Sequence, residues 1–133
     1  MSTDTNSRFG VGCIAAGALL MLAGVMLGAF GAHGLEGRLA PRQLASFQTG
    51  VLYQQLHALG LVLVGVIAGR AAGSRALLWS AGLMCAGIAL FSGSIYLMTA
   101  GAPRWLGMIA PIGGLSFMAA WTLLAVHALR RRG

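Results

Sequence analysis

FGVGCIAAGALLMLAGVMLGAFGA, residues Phe9 to Ala32, decides how the chain folds. These 24 residues carry no charge, and a helix needs about 20 apolar residues to cross a hydrocarbon core roughly 30 Å thick. No water is present there to satisfy backbone N–H and C=O groups, so the stretch must be helical. Its apolar length exceeds the roughly 7–15 residues of a signal-peptide core, so a retained helix is expected.

Three more apolar runs follow, over 49–69, 76–100 and 105–129. Arg70, Gly73, Ser74 and Arg75 form one tight connector, and Gly101, Ala102, Pro103 and Arg104 another. Connectors this short make neighbouring helices antiparallel and adjacent. The expected fold is all-α: an integral membrane four-helix bundle, with a single transmembrane domain spanning 1–133. Composition agrees, since 58% of the 133 residues are hydrophobic and 8% charged. A soluble domain carries about 25% charged residues to cover its surface.

The net charge of +7 comes from nine arginines, with no lysine, against two acidic residues. Each arginine lies between or beside apolar runs, where headgroups are met, and no basic patch is interleaved with aromatics. Nucleic acid is therefore excluded as a partner, and the lipid bilayer is the expected one. Arg8, Arg70, Arg75 and Arg130 to Arg132 fall on one side, against Arg38, Arg42 and Arg104 on the other. The positive-inside rule then predicts cytoplasmic termini.

The first connector is longer. Pro41 suits the first turn of a helix, and Leu44, Phe47 and Val51 follow as an apolar stripe. The spacing predicts a short interfacial helix within 35–48 that bends into span two around Gly50. The alternative is one straight helix from Pro41 to Ala68.

Helices in lipid associate through small residues that let backbones approach. Span one repeats Gly24, Gly28 and Ala32 every four residues and Gly17, Gly24 and Gly31 every seven; span three offers Gly82, Ala86, Ala89 and Gly93. Both stripes are expected to form intramolecular seams, with a dimer seam as the alternative. Pro111, followed by Gly113 and Gly114, predicts a kink in span four.

Polar side chains inside spans are costly, so their placement carries information. At 100° per residue, Gly50, Tyr53, Gln54 and His57 share one arc of span two about 100° wide. That face is expected to point toward Ser92, Ser94 and Tyr96, which with His33 complete a candidate polar pocket. Gln48 and Gln55 lie on the opposite face as candidate partner contacts. His57 lies about 12 Å along the helix from Thr49, where a structural, hydrogen-bonded histidine is the ordinary reading. Cys13 and Cys85 lack metal-ligand spacing. No intramembrane carboxylate and no nucleophile–base pair is visible, so no catalytic residue, metal or cofactor is expected.

GAFGAHGL (Gly28 to Leu35), followed by Leu44, Phe47, Thr49-Gly50-Val51, Tyr53-Gln54 and His57-Ala58-Leu59, resembles the domain of unknown function 423 family. The resemblance implies a small four-helix protein of the bacterial inner (plasma) membrane and carries over no catalytic residues. Two functions remain open. One is an accessory or scaffolding protein, assembling with itself or a membrane-protein partner through Gln48 and Gln55. The other is a binding or transport protein whose outer-half pocket takes a lipid headgroup or small molecule.

Overall fold

The computed structural model describes residues 3–70 and 74–131. Within them, Asp4–Leu35, Pro41–Arg70, Arg75–Thr99 and Arg104–Arg130 are long and apolar enough to cross a membrane. The tight connector expected around Gly73 lies mostly outside the described residues, as does Arg132.

Helix α1 (Thr3–Phe30) runs on into a π-helical turn, Gly31–Leu35. Helix α2 (Pro41–Arg70) is the longest element. The third stretch is α3 (Arg75–Gly87), a π-helical turn (Ile88–Ser92) and α4 (Gly93–Thr99). It closes at Gly101, whose φ of +102° is the left-handed conformation that ends many helices. A 3-10 turn (Arg104–Met108) leads into α5 (Ala110–Arg130).

Two expectations are corrected. No interfacial helix separates the first two stretches, because α2 is continuous from Pro41. Pro41 occupies its first turn, where the Ala40 carbonyl accepts from the Gln43 and Leu44 amides and the Gln43 side chain accepts from the Ala40 amide. Phe47 and Val51 are buried in the bundle, so the stripe that suggested an interfacial helix faces protein. Gly50 is a contact point: a Cβ there would come within 3.3 Å of both Ile95 and Tyr96. Pro111, in turn, does not interrupt α5. It sits in the first turn of α5, where a missing N–H has no intrahelical partner to lose.

The seven-residue glycine stripe of α1 is the seam with α2. Gly10, Gly17, Gly24 and Gly31 are all buried. A Cβ on Gly10 would lie 2.7 Å from the Gly65 carbonyl oxygen, and one on Gly17 would lie 2.7 Å from that of Ala58. The four-residue stripe drifts off this face, since Gly28 is half-buried and Ala32 exposed. On α3 the expected seam residue Gly82 meets nothing within 4 Å; Gly87 takes its place, packed against the Phe117 ring of α5. The Ser80 hydroxyl donates to the Ala120 carbonyl across the same interface (2.9 Å).

Between these pairs lies a core of Leu61, Val64, Leu77, Met84 and Leu124, with Cys13. Val11, Leu19, Met26, Trp79 and Met118 point outward and are well exposed. In lipid such a surface has the solvent it needs.

Candidate functional site

The buried polar residues of α2 converge on α4. Gln54, 3% exposed, donates from Nε2 to the Leu20 carbonyl of α1 (2.8 Å) and accepts at Oε1 from the Tyr96 hydroxyl (2.8 Å). One amide thus ties three helices. The chemistry orients it, because a carbonyl can only accept. One turn earlier, the Ser92 hydroxyl donates to the Gly50 carbonyl (2.7 Å). The π-helical turn Ile88–Ser92 places Ser92 there and brings the Phe91 backbone close to α5: a Cβ on Gly113 would sit 2.5 Å from the Phe91 nitrogen.

His57 begins a second, aromatic layer. Its Nδ1 lies 2.6 Å from the Tyr53 carbonyl oxygen, so Nδ1 carries the proton. The imidazole stacks on Phe117 with ring centroids 3.4 Å apart and planes at 13°. Tyr53 stacks on Phe91 (4.6 Å), and Trp121 stands 6.1 Å from His57.

Beyond His57, the outward face of α2 opens into a groove of about 560 Å³. Leu56, Leu59, Leu63 and Val66 line it, with His57 and Trp121 at one flank. Gly60 allows Trp121 and Met84 to approach α2, since a Cβ there would lie 3.1 Å and 3.0 Å from them.

Of the residues singled out in the sequence, Tyr53, Gln54, His57, Ser92 and Tyr96 therefore meet in adjoining layers. Ser94 is buried but bonds locally, donating to the Phe91 carbonyl (2.9 Å). His33 is exposed in the first π-helical turn, apart from this network. Gln48 is exposed on α2, and Gln55 lies half-buried with its aliphatic part against Gly24 of α1. Neither of those two amides has a hydrogen-bond partner among the described residues. Sequence reasoning missed the aromatic wall of Phe91, Phe117 and Trp121, whose only signal was its placement in spans three and four. It also missed the bond between His127 Nδ1 and the Ser74 hydroxyl (2.8 Å) at the opposite end of the bundle. Among the described residues, no three His, Cys, Asp or Glu side chains gather as metal ligands.

A family model described as "Protein of unknown function (DUF423)" matches residues 27–114. The UPF0382 membrane protein YwdK of Bacillus subtilis is 43% identical over 114 residues, covering 86% of this chain and 93% of its own. A UPF0382 membrane protein of Staphylococcus haemolyticus is 42% identical over 114 residues, 86% of this chain and 92% of that one. The UPF0382 inner membrane protein YgdD of Escherichia coli is 38% identical over 106 residues, 80% of each chain. No solved structure matches.

Proposed function

Since the chain belongs to the DUF423 family of multi-span membrane proteins, we propose that it is a small accessory or scaffolding protein of the bacterial inner membrane, acting by assembly with a second copy of itself. The carrying observation is Gln55. Its amide sits near the middle of the 30-residue α2 and has no hydrogen-bond partner among the described residues. An unbonded amide in hydrocarbon costs several kcal/mol. Two copies inserted the same way place identical residues at identical depth. An amide that both donates and accepts is self-complementary in such an isologous contact. Gln48, two turns earlier on the same face, extends the stripe toward the headgroups.

The alternative, a polar pocket for a headgroup or small molecule, draws less support. Gln54, Ser92, Ser94 and Tyr96 already commit their polar groups to one another and to backbone carbonyls.

In liposomes, subunit exchange measured by energy transfer between labelled copies is expected to show self-association that weakens about tenfold in Gln55→Leu, because an interhelical hydrogen bond in lipid contributes about 1–2 kcal/mol. A monomeric wild type, or association untouched by the substitution, refutes the reading. The arginine distribution further supports a single membrane domain with both termini in the cytoplasm. A C-terminal green fluorescent protein fusion is expected to fluoresce and an alkaline phosphatase fusion to be inactive; the reverse pattern overturns this orientation.

A further inference from the structure

His57 is 6% exposed, yet one of its ring nitrogens is left over. Nδ1 is committed to the Tyr53 carbonyl, so in a neutral ring Nε2 is a bare acceptor. A charged imidazolium at this depth in hydrocarbon is strongly disfavoured. Among the described residues, no hydrogen bond reaches Nε2. Among the described side-chain nitrogens and oxygens, only His127 Nε2 is both sealed from the surface and unbonded. The His57 acceptor is therefore not sealed from the surface, and His57 lines the groove on α2.

Depth decides what can reach it. His57 lies 16 residues from Pro41 and 13 from Arg70, about 24 Å and 20 Å along the helix. Phospholipid headgroups stay at the interface, so a small-molecule donor must be neutral and partition into hydrocarbon. Branched aliphatic side chains line the groove, and the Trp121 ring lies 6.1 Å from the His57 ring. That wall suits an aromatic ring better than a plain alcohol, since offset or edge contacts between rings add about 0.5–1.5 kcal/mol.

We propose that the groove binds a hydroquinone bearing an apolar tail, with one phenolic hydroxyl donating to His57 Nε2, the ring against Trp121 and the tail along Leu59, Leu63 and Val66. The site prefers the reduced molecule. A quinone offers only carbonyl acceptors and cannot bond a nitrogen that also only accepts.

The test uses full-length protein, labelled with ¹⁵N-histidine, in lipid nanodiscs. A decyl-substituted hydroquinone is titrated in parallel with its quinone, its dimethyl ether and decanol. The His57 Nε2 resonance is expected to move saturably with the hydroquinone, and at least tenfold more weakly with each of the other three. Leu63→Trp, six residues along α2 from His57, fills the groove from its lipid-facing side. It is expected to weaken hydroquinone binding at least tenfold while leaving the unliganded His57 resonance in place. An Nε2 resonance unmoved by hydroquinone overturns the site. An equal response to the dimethyl ether overturns the hydrogen bond, and an equal response to decanol overturns the aromatic assignment. Full binding by Leu63→Trp places the ligand elsewhere and refutes the groove.

Discussion

Gly65→Ala is expected to destabilise the protein by about 2–3 kcal/mol, the upper part of the range for overpacking a tight interface, and to loosen α1 from α2. The reason is reciprocal. A Cβ on Gly65 would lie 2.6 Å from the Gly10 carbonyl oxygen, and a Cβ on Gly10 would lie 2.7 Å from that of Gly65. Both obstacles are backbone, so no rotamer change relieves them and the helices must separate. Separation stretches the whole seven-residue stripe, including the Gly17 contact with Ala58 and the bond from Gln54 to Leu20. Gly82→Ala is the control. It meets nothing within 4 Å, so the better helix propensity of alanine should leave stability unchanged or raise it by up to about 1 kcal/mol. Unfolding by sodium dodecyl sulfate in mixed micelles, followed by tryptophan fluorescence, measures both. If Gly65→Ala proves as mild as Gly82→Ala, the close α1–α2 contact does not hold the bundle together.

The second large effect is expected at Gln54→Leu, at about 2–3 kcal/mol. The substitution removes two hydrogen bonds and takes from the part-buried Tyr96 hydroxyl the acceptor that Gln54 supplies, and a buried donor that loses its partner costs about 1–3 kcal/mol. The Leu20 carbonyl suffers less, because it lies in the middle of α1 and has its own helical donor. Tyr96→Phe alone should cost about 1 kcal/mol, near the net worth of one such bond in lipid. The double variant Gln54→Leu/Tyr96→Phe is expected to cost less than the sum, since no stranded hydroxyl remains in it. Strict additivity in the same unfolding assay is the outcome that sinks this account of Gln54 as the tie between α1, α2 and α4.

These two positions mark how far the sequence could be read. Gln54 was legible as inward-facing because its arc also held Gly50 and His57, and no polar group is stable against hydrocarbon without a partner. Its bond to Leu20 was not legible, since any carbonyl of α1 at the right depth would serve. The glycine stripe of α1 was legible as a seam, but its partner was not. Two periods competed, and only packing on α2 selects the one of seven. The Gly50 bend failed for a related reason. A glycine inside a helix reads equally well as a hinge or as a close contact, and Ser92, Ile95 and Tyr96 make it a contact. Pro111 was misread because a helix start is invisible when the residues before it are as apolar as those after.

The sequence by itself determined that the chain lies in a membrane and how many helices it has to cross with, and it pointed to the face of α2 that carries Gln54. These follow from length, hydropathy and angular position, which are properties of a chain in its solvent. Only the tertiary structure decided the two π-helical turns, the partners of Gln54 and Ser92, and the groove between α2 and Trp121. Each depends on residues distant in sequence reaching the same depth: Tyr96 is 42 positions from Gln54, and Phe117 covers His57 from the last helix. A helical pattern states which way a side chain points, whereas its partner is set by the depth and rotation of another helix, which that pattern does not encode.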